Sequence, residues 1–200
     1  CIRDRINTGF KVSFFLCKIT NLLIYSLYLN NSISVVKYFQ KERGFMMNPI
    51  IQSLFDRKSC RIFKDKEISQ EERKLILEAC MQAPSAGNQQ MYTIIDVQDK
   101  KLQETLSKTC DNQSFINQAN MVLIFCADFQ KWYDLFSYEN CNPRKPGVGD
   151  LLLASTDATI AAQNAVVAAE SLGIGSCYIG DILEQHDLHR ELLNLSEYVV

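Results

Sequence analysis

The chain has 200 residues, 47% of them hydrophobic, and a formal net charge of −2. That length and apolar fraction are enough for one well-buried domain, and the near-neutral charge argues against a nucleic-acid partner, whose binders are normally basic overall. Eight cysteines (Cys1, Cys17, Cys60, Cys80, Cys110, Cys126, Cys141 and Cys177) include no CxxC pair and stand beside only two histidines, so no metal-ligand spacing is present; a chain with a real core has no need of disulfides, and reduced thiols in a cytoplasm are expected.

Residues 1–46 differ in character from the rest. They are rich in Asn, Ile, Leu, Tyr, Phe, Ser and Lys, the residues of AT-rich codons, and hold no helical or alternating pattern for long. The apolar run VSFFLCKITNLLIYSLYL is broken by Lys18 and Asn21, where a membrane span asks for about 20 mostly apolar residues, and a signal peptide would need a small-residue cleavage site. KERGF before Met46 and Met47 reads as a translated ribosome-binding site, and CIRDR as translated adaptor DNA. The expectation is a leader over 1–46 that is upstream translation or a disordered apolar segment, a natural start at Met46 or Met47, and one domain over 47–200.

In NPIIQSLFD, Asn48 can cap a helix, Pro49 suits its first position, and Ile50, Ile51, Leu54 and Phe55 follow helical spacing. RKSCR (57–61) follows as a connection, with a short strand available at Arg61-Ile62-Phe63. Extended or helical, the stretch puts Arg57 and Arg61 on one face. Two guanidinium groups converging beside a hydroxyl make an anion site; the alternative is a solvated basic loop. Ser69 and Glu72 then form a capping box ahead of a helix with Leu75, Ile76, Ala79 and Cys80 on its apolar side.

APSAGNQQ is a loop, and YTIIDV a strand by its β-branched content. DKKLQETLSKTC is an amphipathic helix, DNQSFINQA a polar loop passing into a short helix, and MVLIFCADF a buried strand. An aromatic helix, QKWYDLF, runs into a Pro/Gly loop, followed by the long helix LLLASTDATIAAQNAVVAAESLG, stopped by Gly173. Its seven alanines from Ala154 to Ala169 leave almost no polar face, so it is either a central core helix or a core helix that also forms a subunit interface. GSCYIGD reads as a strand entering a turn, and EQHDLHRELLNL as the last helix before YVV. GIGSCYIG is no dinucleotide fingerprint, because its glycine spacing is wrong and it leads into a strand instead of leaving one. Helices and strands alternate without an internal repeat, which points to a layered α/β or α+β domain.

Taken together, RKSCR, APSAGNQQ, CDNQSF, ADFQKWYD, AAQNAVVAAESLGIGSCYIGD and HRELLNL, in that order, resemble the FMN-dependent nitroreductase family over residues 47–200, and within it the bacterial NAD(P)H-dependent flavin and nitro-compound reductases. The resemblance implies an α+β fold: a three-layer α/β/α sandwich with a central mixed sheet and the alanine-rich helix at a subunit interface. It implies a cytoplasmic homodimer with shared FMN sites and no membrane attachment. Arg57 and Ser59 would hold the FMN phosphate, with Lys58 and Cys60 contributing mainly backbone. Arg61 would stand near the pyrimidine end of the ring, Ser85 would reach it from the partner subunit, and Gln113, with Asn112 beside it, would bond its polar edge. Tyr178, Ile179, Gly180 and Asp181 would line the ring's face. NAD(P)H would reduce the flavin and leave, and a nitroaromatic, quinone or free flavin would follow it into the same space. The cofactor does this chemistry, so no catalytic side chain is named. Family members continue past the position of Val200 with a further strand, a second basic cluster and an extension, so a C-terminally shortened member is expected. A non-redox FMN- or phosphate-binding protein on the same scaffold, a reductase anchored through residues 14–29, and a relative using its flavin for dehalogenation or flavin breakdown are the competing readings.

Overall fold

Three of the helices begin where a side chain accepts N–H groups that a helix start leaves unpaired. In the computed structural model, which describes residues 48–200, α1 (Pro49–Asp56) starts with Asn48 Oδ1 accepting the Ile51 N–H at 3.0 Å. The box before α2 (Gln70–Met81) is complete, with Glu72 N–H donating to Ser69 Oγ at 3.2 Å and Ser69 N–H to Glu72 Oε2 at 2.8 Å. The Ser69 N–H, together with the Ser69 hydroxyl donating to the same Oε2 at 2.8 Å, holds the Glu72 carboxyl below its usual pKa. Asp99 caps α3 (Lys100–Thr109) through Lys101 N–H, and α4 (Ser114–Gln118) follows a short loop. After β1 (Tyr92–Asp96) and β2 (Leu123–Ala127) come α5 (Gln130–Tyr138), α6 (Val148–Ser171) and α7 (His186–Leu192). At the start of α6 the Arg144 guanidinium grips Asp150 with two bonds of 2.6 and 2.8 Å and holds its carboxyl below the ordinary range. Gly173, at φ +74°, ends α6: Ile174 N–H reaches back to Ala169 O at 2.9 Å and Gly173 N–H to Glu170 O at 3.0 Å, the paired bonds of a Schellman cap. The expectations placed on residues 1–46 lie outside the described residues.

The strands pair antiparallel, with Ile94 opposite Phe125 and Ile95 opposite Ile124. Alternation then divides the side chains between two faces. Ile94, Leu123 and Phe125 meet Ile76 and Cys80 of α2 and Ala165 and Ala169 of α6. Ile95, Val122 and Ile124 meet Leu106 and Cys110 from α3 and its end, and Ile116 of α4. Helices therefore cover both faces, the three-layer α/β/α arrangement expected of the sequence. Among the described residues the sheet is this antiparallel pair, lengthened where Val199 bridges Asp128 and Ala127 and Val200 exchange backbone bonds of 2.7 and 2.9 Å; the mixed character is not expressed within them.

Three expectations differ from what is found. Arg61–Phe63 and the stretch 175–180 are not strands, although Cys60 N–H donates to Ser176 O at 2.9 Å. One bond is not a ladder, and β-rich composition without a paired neighbour does not make a strand. The long helix is not buried all round. Ala154, Ala158, Ala161, Ala162, Ala165 and Ala169 form a buried stripe, yet Val148 and Leu152 are 74% and 64% exposed. Nor is it free of buried polar groups, since Asp150 and Asp157 both lie inside. The neighbouring α1 buries none of its residues and exposes Ile50, Leu54 and Phe55.

The core thiols behave as small hydrophobes, as expected. Burial pushes Cys80 and Cys126 up to about 11, which leaves almost no thiolate at neutral pH. In the folded protein at pH 8 a thiol-alkylating reagent should modify exposed Cys141 and spare Cys80 and Cys126, with both becoming reactive in denaturant. Peptide mass mapping checks this; modification of Cys80 at the rate of Cys141 would contradict the packing described.

Candidate functional site

Three segments meet at one edge of the domain. The first is the 57–61 loop after α1. The second is the corner between α3 and α4, and the third is the irregular stretch from the α6 cap to the 3-10 turn Asp181–Leu183. The first and third cross where Cys60 N–H bonds Ser176 O. The crossing needs a bare backbone: a Cβ built on Gly175 would lie 2.9 Å from Cys60 Cβ and 3.2 Å from its Sγ, closer than packed carbons come.

The crossing leaves the basic side chains outward. Lys58, Ser59 and Arg61 are exposed and Arg57 is half-buried. Among the described residues none of Arg57, Lys58 and Arg61 is ion-paired, whereas Arg73 holds Asp96 at 2.7 Å and Arg144 holds Asp150. The Arg61 guanidinium lies 5.8 Å from the centre of the Phe115 ring, against which Phe63 also packs. Tyr178 is next to this patch. Burial raises the pKa of its phenol, the Arg57 charge opposes that rise, and the hydroxyl donates to Gln163 Oε1 on α6 at 3.3 Å.

The polar corner is built by strain-tolerant residues. Asp111 and Asn112 take φ of 57° and 54°, a left-handed turn that short polar side chains accept more readily than others. It delivers Gln113, whose Nε2 donates both to Cys110 O at 3.1 Å and to Asp181 Oδ2 at 2.7 Å. With both N–H groups engaged, Gln113 Oε1 stands without a partner among the described residues. Gly180 has ordinary backbone angles, and a Cβ there would meet nothing within 4 Å, so open space lies against its backbone.

The structure thus brings together Arg57, Lys58, Ser59, Cys60, Arg61, Gln113, Tyr178, Gly180 and Asp181. Ile179 belongs to the same stretch, but its side chain is packed into the core against Leu106 and Ile116, so only its backbone faces the site. Ser85 shares no hydrogen bond with these segments; its hydroxyl accepts the Gln90 N–H within its own turn. That turn is held by buried Asp157, which accepts the N–H groups of Ala86 at 3.1 Å and Met91 at 3.3 Å. The sequence reading passed over Gly175, Asp157, Phe115 and His189. An acid in the middle of an alanine-rich helix is a signal for Asp157; the other three carry none before the segments are seen to cross. Chemically, the arrangement offers unpaired cations to an anion, and a directed acceptor, a carboxylate and an aromatic ring to a planar polar group beside it.

The sequence model described as the nitroreductase family matches residues 54–200. The FMN reductase [NAD(P)H] of Bacillus subtilis (strain 168) is 40% identical over 159 residues, covering 76% of this chain and 62% of that protein. The oxygen-insensitive NADPH nitroreductase of Salmonella typhimurium is 34% identical over 155 residues, covering 77% of this chain and 62% of that protein. The solved structure of NfrA2 from B. megaterium superposes with a TM-score of 0.73 at 40% identity, covering 76% of this chain and 63% of that one. The chain therefore spans under two thirds of the length of these relatives.

The crossing makes its own prediction. Gly175→Ala should push the 57–61 loop away, destabilise the domain by about 1–3 kcal/mol as overpacking does, and speed hydrogen exchange at the Cys60 amide. Gly180→Ala, which meets open space, should leave that amide unchanged. Equal Cys60 exchange in both variants would show that the close approach does not hold the loop.

Proposed function

The chain belongs to the nitroreductase family, and we propose that it is an NAD(P)H-dependent flavin oxidoreductase acting on nitroaromatics, quinones or free flavin. The observation that carries this reading is the set of unpaired cations on the 57–61 loop, fixed by the Gly175 crossing beside the directed Gln113 carbonyl. The residues fit FMN at both of its ends. Arg57 and Ser59 would bind the phosphate, since guanidinium and hydroxyl donors match its oxygens, and Lys58 and Cys60 would support them through the backbone. Gln113 Oε1 would accept the imide N–H of the ring, because the amide's donors are already committed to Cys110 and Asp181. Arg61 would stand near the pyrimidine end, where a held guanidinium stabilises negative charge developing on the ring. Tyr178, Ile179, Gly180 and Asp181 would line the ring's face, with the bare Gly180 backbone leaving room for it. When bound, FMN supplies the redox chemistry, taking reducing equivalents from NAD(P)H and passing them to the acceptor.

The site is read as shared between two copies of the chain. The exposed apolar residues of α1 and the first turns of α6, Ile50, Leu54, Phe55 and Leu152 among them, form a face of the kind that marks a protein interface. Ser85, apart from the other site residues within one chain, would then contact the flavin of the partner. The unpaired thiols among the described residues suit a reducing cytoplasm.

A visible absorption spectrum of the purified protein, before and after NADPH, tests the reading. A flavin spectrum that bleaches on NADPH addition is expected. Bound flavin that stays oxidised would leave a non-redox FMN-binding protein, and no flavin even after FMN is added would reduce the 57–61 loop to a solvated basic loop. Arg57→Ala should weaken FMN binding by roughly 1.5–3 kcal/mol through loss of a charge-assisted bond, about a 10- to 150-fold rise in Kd by titration. Arg61→Ala should slow flavin reduction in single-turnover measurements more than it weakens binding. Unchanged FMN affinity in the Arg57 variant would remove that residue from the site.

A further inference from the structure

His189 is 3% exposed and makes two directional bonds, one to the preceding turn and one to a distant part of the chain. Nδ1 lies 2.6 Å from Ile182 O, and Nε2 lies 2.7 Å from Thr109 Oγ1. A carbonyl can only accept, so Nδ1 carries the proton of the first bond. From the same stretch Gln185 Nε2 donates to Thr109 O at 2.7 Å, so the last residue of α3 is held at both its hydroxyl and its carbonyl. A side chain needed only to fill space would make neither bond.

The bonds close a circuit. Gln113 Nε2 donates to Asp181 Oδ2. Asp181 is joined to Ile182, whose carbonyl takes the His189 Nδ1–H. His189 Nε2 meets Thr109, which is joined to Cys110, and the Cys110 carbonyl takes the other N–H of Gln113. Each bond of this ring ends on a residue joined to the next bond, so moving one shifts the next. Two members, Gln113 and Asp181, face the site. The others are withdrawn from it, against the core formed by Leu106, Cys110, Ile116, Ile179 and Ile182.

We propose that His189 is a positioning residue. By bridging Ile182 and Thr109 it holds the Asp181 turn against the α3 corner, and so sets where the Gln113 carbonyl and Asp181 meet the polar edge of the flavin. The inference rests on the flavin reading above, and it adds to that reading a residue that touches neither cofactor nor substrate. Misplacing a group that orients a reacting ring is expensive in rate even when binding survives.

The test uses the full-length protein with FMN, and the same protein stripped of flavin. His189→Leu removes both bonds, His189→Asn keeps an N–H for Ile182 O, and Thr109→Val removes only the second bond. His189→Leu should shift the visible bands of bound FMN and slow its reduction by NADPH on the order of tenfold, with the KM for NADPH little changed. His189→Asn should restore most of both. Without flavin, the Leu183 and Glu184 amides, which donate within the Asp181 turn, should exchange faster in His189→Leu than in wild type or His189→Asn. If His189→Leu does not fold, Thr109→Val decides by the same readouts. Wild-type bands, reduction rate and amide exchange in the folded variants would overturn the positioning role while leaving the flavin reading intact. A wild-type protein that holds no flavin would remove the flavin reading and this inference with it.

Discussion

The packing of α6 on the sheet is the contact from which the other parts take their positions. Alanine at 154, 158, 161, 162, 165 and 169 gives the helix a buried stripe with almost no side-chain depth, so its backbone comes close to the sheet and to α2. Asn164 Nδ2 reaches the Ala79 carbonyl at 3.1 Å, a short side chain that spans the gap only because the gap is narrow. From this placement the helix organises three separate features. Asp157 pins the turn that carries Ser85. Gln163 takes the Tyr178 hydroxyl. The Gly173 cap then turns the chain so that Gly175 passes under Cys60. Larger side chains on the stripe would lift the helix and carry all three away from the sheet together.

In its first turns the exposed side of α6 carries Leu151, Leu152 and Leu153 where a solvated helix would carry charges. Together with α1, which buries nothing in this chain, it leaves apolar surface that water disfavours by about 25 cal/mol for each Å² exposed. On the dimeric reading proposed above, a second copy covering that surface would account for the leucines and for the isolation of Ser85 in a single step. It would also explain the helix's intermediate character: small residues serve the inside of one chain, and the large apolar residues would serve a contact between two.

Local signals in the sequence carried much of the fold. The caps at Asn48 and Ser69 and the stop at Gly173 stand where their side chains or backbone freedom predict, because a cap is decided within a few residues. Both strands are also legible, since Tyr92–Asp96 and Leu123–Ala127 are buried on two faces and so are rich in β-branched and apolar residues. The stretches at 61–63 and 175–180 also read as strands, but the one backbone bond between these segments runs from neighbouring Cys60 to Ser176, and a strand is a property of a pair, not of a segment. The site follows the same division. RKSCR announces itself by charge, whereas Gly175 and His189 matter through residues roughly 115 and 80 positions away in the chain, a separation over which no periodicity or motif speaks.

The electrostatics of the site follow from where the chain declines to pair its charges. Arg73 sits in a partly buried place, with its side chain 13% exposed, and there Asp96 and the Asn120 carbonyl satisfy it; an unpaired guanidinium at that depth would be costly. The 57–61 loop stays near solvent, so its cations remain hydrated at little cost without a carboxylate. A carboxylate placed beside Arg57 or Arg61 would stabilise the free protein slightly and would then have to be displaced by any incoming anion. Leaving the cations unpaired but fixed by the Gly175 crossing would keep that interaction energy available for an incoming anion. The Gln113 carbonyl is arranged by the same logic, its donors satisfied internally and its acceptor left over. This edge thus departs from the pairing of charges seen at Arg73 and Arg144, and a local departure of that kind is where a binding site is expected to lie.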